Sequence, residues 1–345
     1  MVIKLNPAKV PIWRTPTTLQ IGLGSDALVL QNLRAEQEKL INLLYRGVAD
    51  GALQNISRTL GSSDLETGEL LTRLSPALLD VTDQDVSKLP ALNEAFIGQA
   101  FAEIIRASFS SGTDGLSVLR TRAARVVELD SGDKASLLLG LGLAAAGVGA
   151  LICNDVSPVM PEDIGPLGYA QRELGSARRD ALARKLEAGV HPCRLVSGLT
   201  KSKALSAKVF VGSRFVSPER YRQAMRGSTP HLCVEFGAEE TKVSPLVVPG
   251  CTPCLTCRHS EELQRDPDWA MLATQLQFRH ERLDDSQASL IAMGVSLELL
   301  LGYLDDPRNL GFEGKVIDHR TGQIRSNGWP KDPLCECASV VVNAS

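Results

Sequence analysis

Residues 134–155 read K-A-S-L-L-L-G-L-G-L-A-A-A-G-V-G-A-L-I-C-N-D, and the fold turns on how that stretch is divided. Its uncharged part, Leu137–Cys153, is marginal for a membrane span, which needs about 20 apolar residues. Gly140, Gly142, Gly147 and Gly149 interrupt it, and Asn154-Asp155 follow directly. A helix that ends at Gly147, a tight turn and a buried strand from Ala150 fits better. Working outward, Arg125–Leu129 reads as a short strand and Lys134–Ala146 as a helix. Ala150–Cys153 is the next strand, and Leu174–Gly189 is an arginine-rich amphipathic helix. Val209–Val211 is again a strand, and Pro218–Arg226 a helix with proline early. Such alternation predicts a parallel sheet with crossover helices. Ser286–Leu304, uncharged but for Glu298, predicts a helix in the core or at a subunit interface. Val316–Ile317 and Gln323–Ile324 read as two short closing strands.

Upstream the pattern changes. Val10–Leu23 and Ala27–Leu33 read as strands around the turn Gly24-Ser25-Asp26. Three short helical patterns follow. Leu40, Ile41, Leu43 and Leu44 line the first; Leu53, Ile56 and Leu60 line the second. The third opens on Ser63-Asp64-Leu65-Glu66, a capping-box pattern, and is expected to bury Leu65, Leu70, Leu71 and Leu74. Strands followed by three compact helices suggest a small α+β, winged-helix-like module over 1–80. A connector over 81–119 carries a helical stripe of Leu92, Phe96, Ala100, Phe101, Ile104 and Ile105, then the break S-S-G-T-D-G (110–115). The second domain spans 120–345.

A chain of 345 residues suits about two domains. With 43% apolar and 22% charged residues, fibrous and wholly disordered classes fall away. The net charge of −3 gives no global pull toward nucleic acid or anionic membrane. Winged helices often bind DNA, yet residues 1–80 balance eight basic side chains (Lys4, Lys9, Arg14, Arg34, Lys39, Arg46, Arg58, Arg73) against eight acidic ones (Asp26, Glu36, Glu38, Asp50, Asp64, Glu66, Glu69, Asp80). Without a basic stripe, a peptide or protein partner is the expectation rather than DNA. Residues 199–227 carry Lys201, Lys203, Lys208, Arg214, Arg220, Arg222 and Arg226 against Glu219 alone. Charge runs are usually solvated, but this one also suits docking of an acidic peptide. The N-terminus has no apolar run behind its lysines, so no secretory signal is read, and a cytoplasmic protein with reduced thiols is expected.

Five of the eight cysteines fall in two clusters, C-T-P-C-L-T-C (251–257) and C-E-C (335–337). Cysteines at CxxC spacing can point two sulfurs at one metal, and a second pair closes a tetrahedron, as zinc prefers. The alternative is a set of unpaired buried thiols. Four thiolates leave no open position, so the zinc read here is structural rather than catalytic. Cys153, Cys193 and Cys233 sit in apolar contexts and read as core. The histidines at 191, 231, 259, 280 and 319 form no catalytic pattern; His259 is a spare ligand or exposed.

The strings L-A-A-A-G-V-G (143–149), A-L-I-C-N-D (150–155), L-G-S-A-R-R-D-A-L-A-R-K-L (174–186), V-S-P-L-V-V-P-G-C-T-P-C-L-T-C (243–257) and W-P-K-D-P-L-C-E-C (329–337) occur in order. Together they resemble the ThiF-type family, bacterial relatives of ubiquitin-activating enzymes, over about residues 120–345. The opening P-x-W-R-x-P-x-x-L-Q-I-G-L (11–23) resembles the peptide-binding winged-helix element of ThiF-like partner proteins in azoline-forming, cyclodehydratase-containing systems. The resemblance implies a Rossmann-like domain with a zinc staple at Cys254, Cys257, Cys335 and Cys337, leaving Cys251 at a variable position. It also implies a homodimer and a reaction in which ATP adenylates a C-terminal carboxylate.

The residues depart from that reaction. Where active members carry a glycine-rich phosphate loop this chain reads S-G-D-K-A-S (131–136), with Ser131, Asp133 and Ser136 in place of the three glycines. Asp133 adds a negative charge where a triphosphate would lie. Asp155 stands at the ribose position and Arg178 at the phosphate-facing one. Taken alone, Asp155 is as well read as a capping residue, and Arg178 and Arg179 as a solvated helix face. Gly212-Ser213-Arg214 replaces the Mg²⁺-supporting aspartate. The expectation is a catalytically degenerate protein that does not bind ATP. It would hold a leader peptide or protein partner and present it to a separate modifying enzyme. The alternatives are an adenylyltransferase with an unorthodox loop and a winged-helix regulator.

Overall fold

Alternate residues of Ala207–Ser213 face opposite sides of a sheet, and both sides are apolar. Val209 and Val211 join one buried cluster, while Phe210 between them joins another. A strand buried on both faces is the mark of a sheet covered by helices on both sides. In the computed structural model, which describes residues 2–79, 89–199, 204–279, 281–310 and 313–338, that sheet is the centre of the second of two units. These units are Met1–Thr121 and Arg122–Ser345.

The first unit is a small α+β body. Its strands β1 (Val2–Ile3), β2 (Pro11–Thr15), β3 (Thr18–Ile21) and β4 (Leu28–Leu30) lead into α1 (Ala35–Arg46). Then come β5 (Val48–Ala49), which pairs with β1, α2 (Asp50–Thr59) and α3 (Asp64–Leu74). Strands β2, β3 and β4 form an antiparallel meander. Val10–Leu23 is therefore a hairpin rather than one strand: the chain reverses between Thr15 and Thr18. Leu5, Ile21, Leu30, Leu40, Leu44, Leu70 and Leu74 make a shared core. The capping box of α3 is formed, with the Ser63 hydroxyl accepting the Glu66 N–H and the Glu66 carboxylate accepting the Ser63 N–H. Leu65, expected to be buried, is 74% exposed, because the core stripe of α3 runs through Thr67, Leu70 and Leu74. The apolar stripe at 92–105 is not one helix. It breaks at Ala100 into α4 (Glu94–Gln99) and α5 (Phe101–Ser111), which leaves Phe101 exposed. Helix α6 (Gly115–Ala123) follows.

The second unit has a mostly parallel α/β architecture. The elements run β6 (Val126–Leu129), α7 (Lys134–Ala145), β7 (Ala150–Cys153), α8 (Arg178–Glu187), β8 (Arg194–Val196), β9 (Ala207–Ser213), α9 (Pro218–Arg226) and β10 (His231–Phe236). Then come β11 (Glu240–Val243), α10 (Leu255–Arg265), α11 (Trp269–Leu276), α12 (Ser286–Asp305), β12 (Gly314–Asp318) and β13 (Ile324–Asn327). The sheet order is β13-β12-β11-β10-β9-β6-β7-β8. Strands β8, β7, β6, β9 and β10 are parallel, and β11, β12 and β13 extend the sheet antiparallel. Helix α7 ends as its sequence predicts. Gly147 adopts φ +95°, and the N–H groups of Gly147 and Val148 reach back to the carbonyls of Ala144 and Leu143, a Schellman closure. The expected helix at 174–189 starts only at Arg178, since Gly175 at φ +79° ends a 3₁₀ turn before it.

Helix α12 is long and apolar enough to cross a membrane by composition alone. Here Ala292, Met293, Leu300 and Leu304 pack with α7 and the sheet in the main core. Cys153, Cys193 and Cys233 are buried, as read from their apolar neighbours.

A buried histidine makes the core sensitive to pH. His231 is fully buried on β10, with Nδ1 2.9 Å from the Thr229 carbonyl and Nε2 without a partner among the described residues. Burial, with a smaller push from Lys208, lowers its pKa to about 4. The unfolded chain takes up this proton near pH 6.5, so stability is complete above that pH and falls as pH drops toward 4. Urea unfolding at about pH 7.5 and about pH 5 is expected to differ by about 2 kcal/mol more in the natural chain than in His231→Gln. Equal pH dependence in the two would contradict the buried neutral imidazole.

Candidate functional site

The strand order reverses between β6 and β9: the chain leaves β6 toward β7 on one side and returns to β9 on the other. Ligands in open α/β sheets bind in the crevice at the carboxyl ends of such strands. A cavity of about 360 Å³ lies there, lined among others by Asp133, Arg178, Ser213, Arg220, Arg282 and Asp284.

At its edge, the start of α7 is closed by the chain's own carboxylates. Asp133 is the N-cap and accepts the Ser136 N–H at 2.8 Å. Asp163 accepts the Lys134 N–H at 3.1 Å, and Asp155 the Gly132 N–H at 2.9 Å. A helix N-terminus attracts anions because its first N–H groups have no partner in the helix. Here those at 134 and 136, and the Gly132 N–H just before the helix, each already hold a carboxylate. The loop is also tight. Gly132 is the one glycine left in it, and a Cβ there would lie 2.8 Å from Cβ of Arg178. Tyr169 donates its hydroxyl to the Gly132 carbonyl at 2.7 Å.

Arginines balance these acids. Arg178 donates Nε and Nη2 to Asp163 at 2.9 and 2.7 Å, and Nη1 to Asp155 at 3.4 Å. Its side chain is 14% exposed and that of Asp163 0%. The reading of Arg178 as part of a solvated helix face is thus corrected: the bend before α8 turns it inward. Arg282 adds a bond to Asp163 at 3.0 Å and a fork onto Asp284. Burial opposes the charge of Asp163, but the Met160 N–H and the Arg178 guanidinium outweigh it and hold its carboxyl below the usual range. Asp155 is depressed in the same way, with the N–H groups of Gly132 and Ser157 overcoming burial. The sequence-read pair Asp155 and Arg178 is brought together. The residues that extend the network from Arg178, Asp163 and then Arg282 and Asp284, were not read, because they lie in a short turn and a loop with no periodic pattern.

No carboxylate stands at 212–214, where Ser213 Oγ accepts the Leu283 N–H. Much of the basic run at 199–227 is consumed by ion pairs. Lys208 meets Glu128 and Asp130, Arg220 meets Asp130, and Arg214 meets Glu281. Lys201 and Lys203 lie outside the described residues, as does His280.

On the other face of the sheet, the sulfurs of Cys254, Cys257, Cys335 and Cys337 lie within 4.8 Å of one another. The pairs 254–257, 254–335 and 257–337 are 3.8, 3.6 and 3.6 Å apart. Tetrahedral zinc with bonds of about 2.3 Å sets its sulfurs about 3.8 Å apart. The four thiols can therefore hold a metal ion, and the donor set and spacing are compatible with zinc. Cys251 is exposed and outside the group. His259 is neither a ligand of the group nor exposed. It stacks between Tyr221 and Trp269 at 6.4 Å from each ring. Around the cluster, Trp329 donates Nε1–H to the Cys254 carbonyl at 2.8 Å. The buried pair Arg258–Glu235 (2.6 Å) ties α10 to β10.

The sheet, its switch-point cavity and the cysteine cluster beyond it define a ThiF-type fold. No protein-family profile matches this sequence, and no curated protein does. Solved structures do. Escherichia coli MccB with a succinimide superposes at TM-score 0.68 and 13% identity, over 99% of this chain and 100% of that one. MccB with AMPCPP and MccA gives 0.67 at 13%, over 97% and 99%. PaaA gives 0.61 at 12%, over 79% and 95%. At such identities the likeness is one of fold.

Proposed function

We propose that this chain is a non-adenylating ThiF-type protein that binds a peptide or protein partner and presents it to a separate modifying enzyme. The observation that carries this reading is the closed start of α7. In its first turn the N–H groups of Lys134 and Ser136 are taken by Asp163 and Asp133, and the Gly132 N–H just before it by Asp155. With these N–H groups already paired, a triphosphate would find none of them free to bind it, and Asp133, which lines the cavity, adds a like charge beside it. Asp155 and Arg178 are then the remains of a nucleotide site, turned to structural use.

Peptide capture belongs to the first unit. Its meander has β2 and β4 as edges, each paired on one side only among the described residues. An extended peptide adds to such an edge through its backbone, and Ile12 and Trp13 of β2 are exposed beside it. The solved neighbours give a precedent, since MccB is described in complex with MccA. The winged-helix kinship of this unit, a homodimer, a cytoplasmic setting and structural zinc on Cys254, Cys257, Cys335 and Cys337 are parts of the same proposal.

ATP–pyrophosphate exchange tests it. The purified chain with Mg²⁺, ATP, labelled pyrophosphate and a library of peptides with free C-terminal carboxylates, which must form the acyl-adenylate for label to enter ATP, is expected to show exchange no faster than a protein-free blank. Steady exchange would favour the adenylating alternative.

A further inference from the structure

A second and larger groove, of about 830 Å³, opens beside the cysteine cluster between α9, α10, α11 and the arm that carries Cys335 and Cys337. Its floor is apolar and aromatic. Tyr221, His259 and Trp269 stack in a row with interplanar angles of 18° and 24°, and Phe215 lies 5.2 Å from His259. Leu263 and Leu334 on its walls are exposed, Leu334 by 92%.

The rims are charged and unlike. Arg222 and Arg226 line one side, and Asp332 and Glu336 the other. Among the described residues, the two arginines are what remains of the basic run once ion pairs are subtracted. Lys208, Arg214 and Arg220 are engaged, whereas Arg222 and Arg226 have no acidic partner among the described residues. They stand four residues apart on α9, so their side chains leave the same face about one turn, or about 6 Å, from each other. That spacing suits carboxylates two residues apart on an extended segment or four apart on a helix.

We propose that this groove docks an acidic, amphipathic segment of a partner protein. A bulky apolar side chain would sit on the Tyr221–His259–Trp269 floor, and two flanking carboxylates would meet Arg222 and Arg226. Complementary charge at such a rim sets orientation and speeds association, while the apolar floor holds the complex. A nucleic acid fits less well, because its backbone carries a charge at every residue and would also meet Asp332 and Glu336, whereas a segment with two carboxylates can turn both toward the arginines. The inference goes beyond peptide capture by the first unit and does not depend on it, so either can fail alone.

The test is a phage-display selection of random dodecapeptides on the full-length, zinc-loaded chain. Enriched peptides are then measured by fluorescence anisotropy. They are expected to combine a bulky apolar residue with at least two acidic ones. Arg222→Glu with Arg226→Glu should weaken binding about tenfold or more, and the double alanine variant less. Arg320→Glu, a charge reversal away from the groove, should leave affinity within about twofold. Zinc content and circular dichroism report that each variant is folded. Enrichment of basic or neutral sequences, no enrichment above bare beads, or equal affinity for the reversed variant would overturn the proposal. So would salt-steep binding of RNA or DNA through these arginines. Self-association of the natural chain that the reversal abolishes, read by sedimentation velocity, would make the groove a self-interface and overturn it too.

Discussion

Cys257→Ser is expected to abolish metal binding at the four-cysteine cluster and to lower the melting temperature of the second unit by about 10 °C or more. Cys257 is buried, and its sulfur lies between those of Cys254 and Cys337. The cluster joins the first turn of α10 to an arm 80 residues further along the chain. Beside the sulfurs the arm is also fastened by the Trp329–Cys254 bond and by Asp332, whose carboxylate is hydrogen-bonded to Ser260. Thiolate–zinc sites contribute folding energy directly, about 10–16 kcal/mol apparent in small zinc peptides. A larger unit with its own core depends on the metal only in part. Losing about 3–5 kcal/mol would shift a domain of this size by about 2–4 °C per kcal/mol. Metal analysis with calorimetry checks this. Full metal content with an unchanged melting temperature would contradict the four-cysteine assignment.

Asp163→Ala is the second large effect, with an expected loss of about 3 kcal/mol. The carboxylate is fully buried and serves two guanidiniums and two backbone N–H groups. Removing it leaves Arg178 and Arg282 facing each other without their shared anion, and breaking a buried pair in this way costs about 3–5 kcal/mol. The lower end applies because Arg282 keeps partial contact with solvent and a second partner in Asp284. Since Asp163 titrates below its unfolded value, its contribution is complete above about pH 4 and is lost as pH falls further. The variant should therefore be less stable at neutral pH and show a shallower acid limb in urea unfolding. A loss under about 0.5 kcal/mol would mean that the network is solvated and holds nothing.

What could be read from the sequence follows from where the signals are local. The helix–Gly147–strand division of residues 134–155 was legible because a Schellman closure needs one glycine at one place. The two cysteine clusters were legible from spacing, which suggests a shared metal, but the choice of Cys254 and Cys257 over Cys251 came from the resemblance to the ThiF-type family. The interior of the cavity was not. Arg178 looked solvent-facing because helical periodicity does not see a loop carboxylate such as Asp163 folding over the first turn. The split at Ala100 and the exposure of Leu65 also escaped, since an apolar stripe tells which residues can be buried but not which neighbour arrives to cover them. The basic run at 199–227 misled in a third way: its charge was visible, its partners Glu128, Asp130 and Glu281 were not.

The central claim is that the chain's own carboxylates occupy the place of a nucleotide's phosphates. Isothermal titration of the full-length, zinc-loaded protein with ATP in excess Mg²⁺ tests it most directly. No saturable heat up to millimolar ATP is the predicted result. A one-site isotherm with micromolar affinity would contradict it.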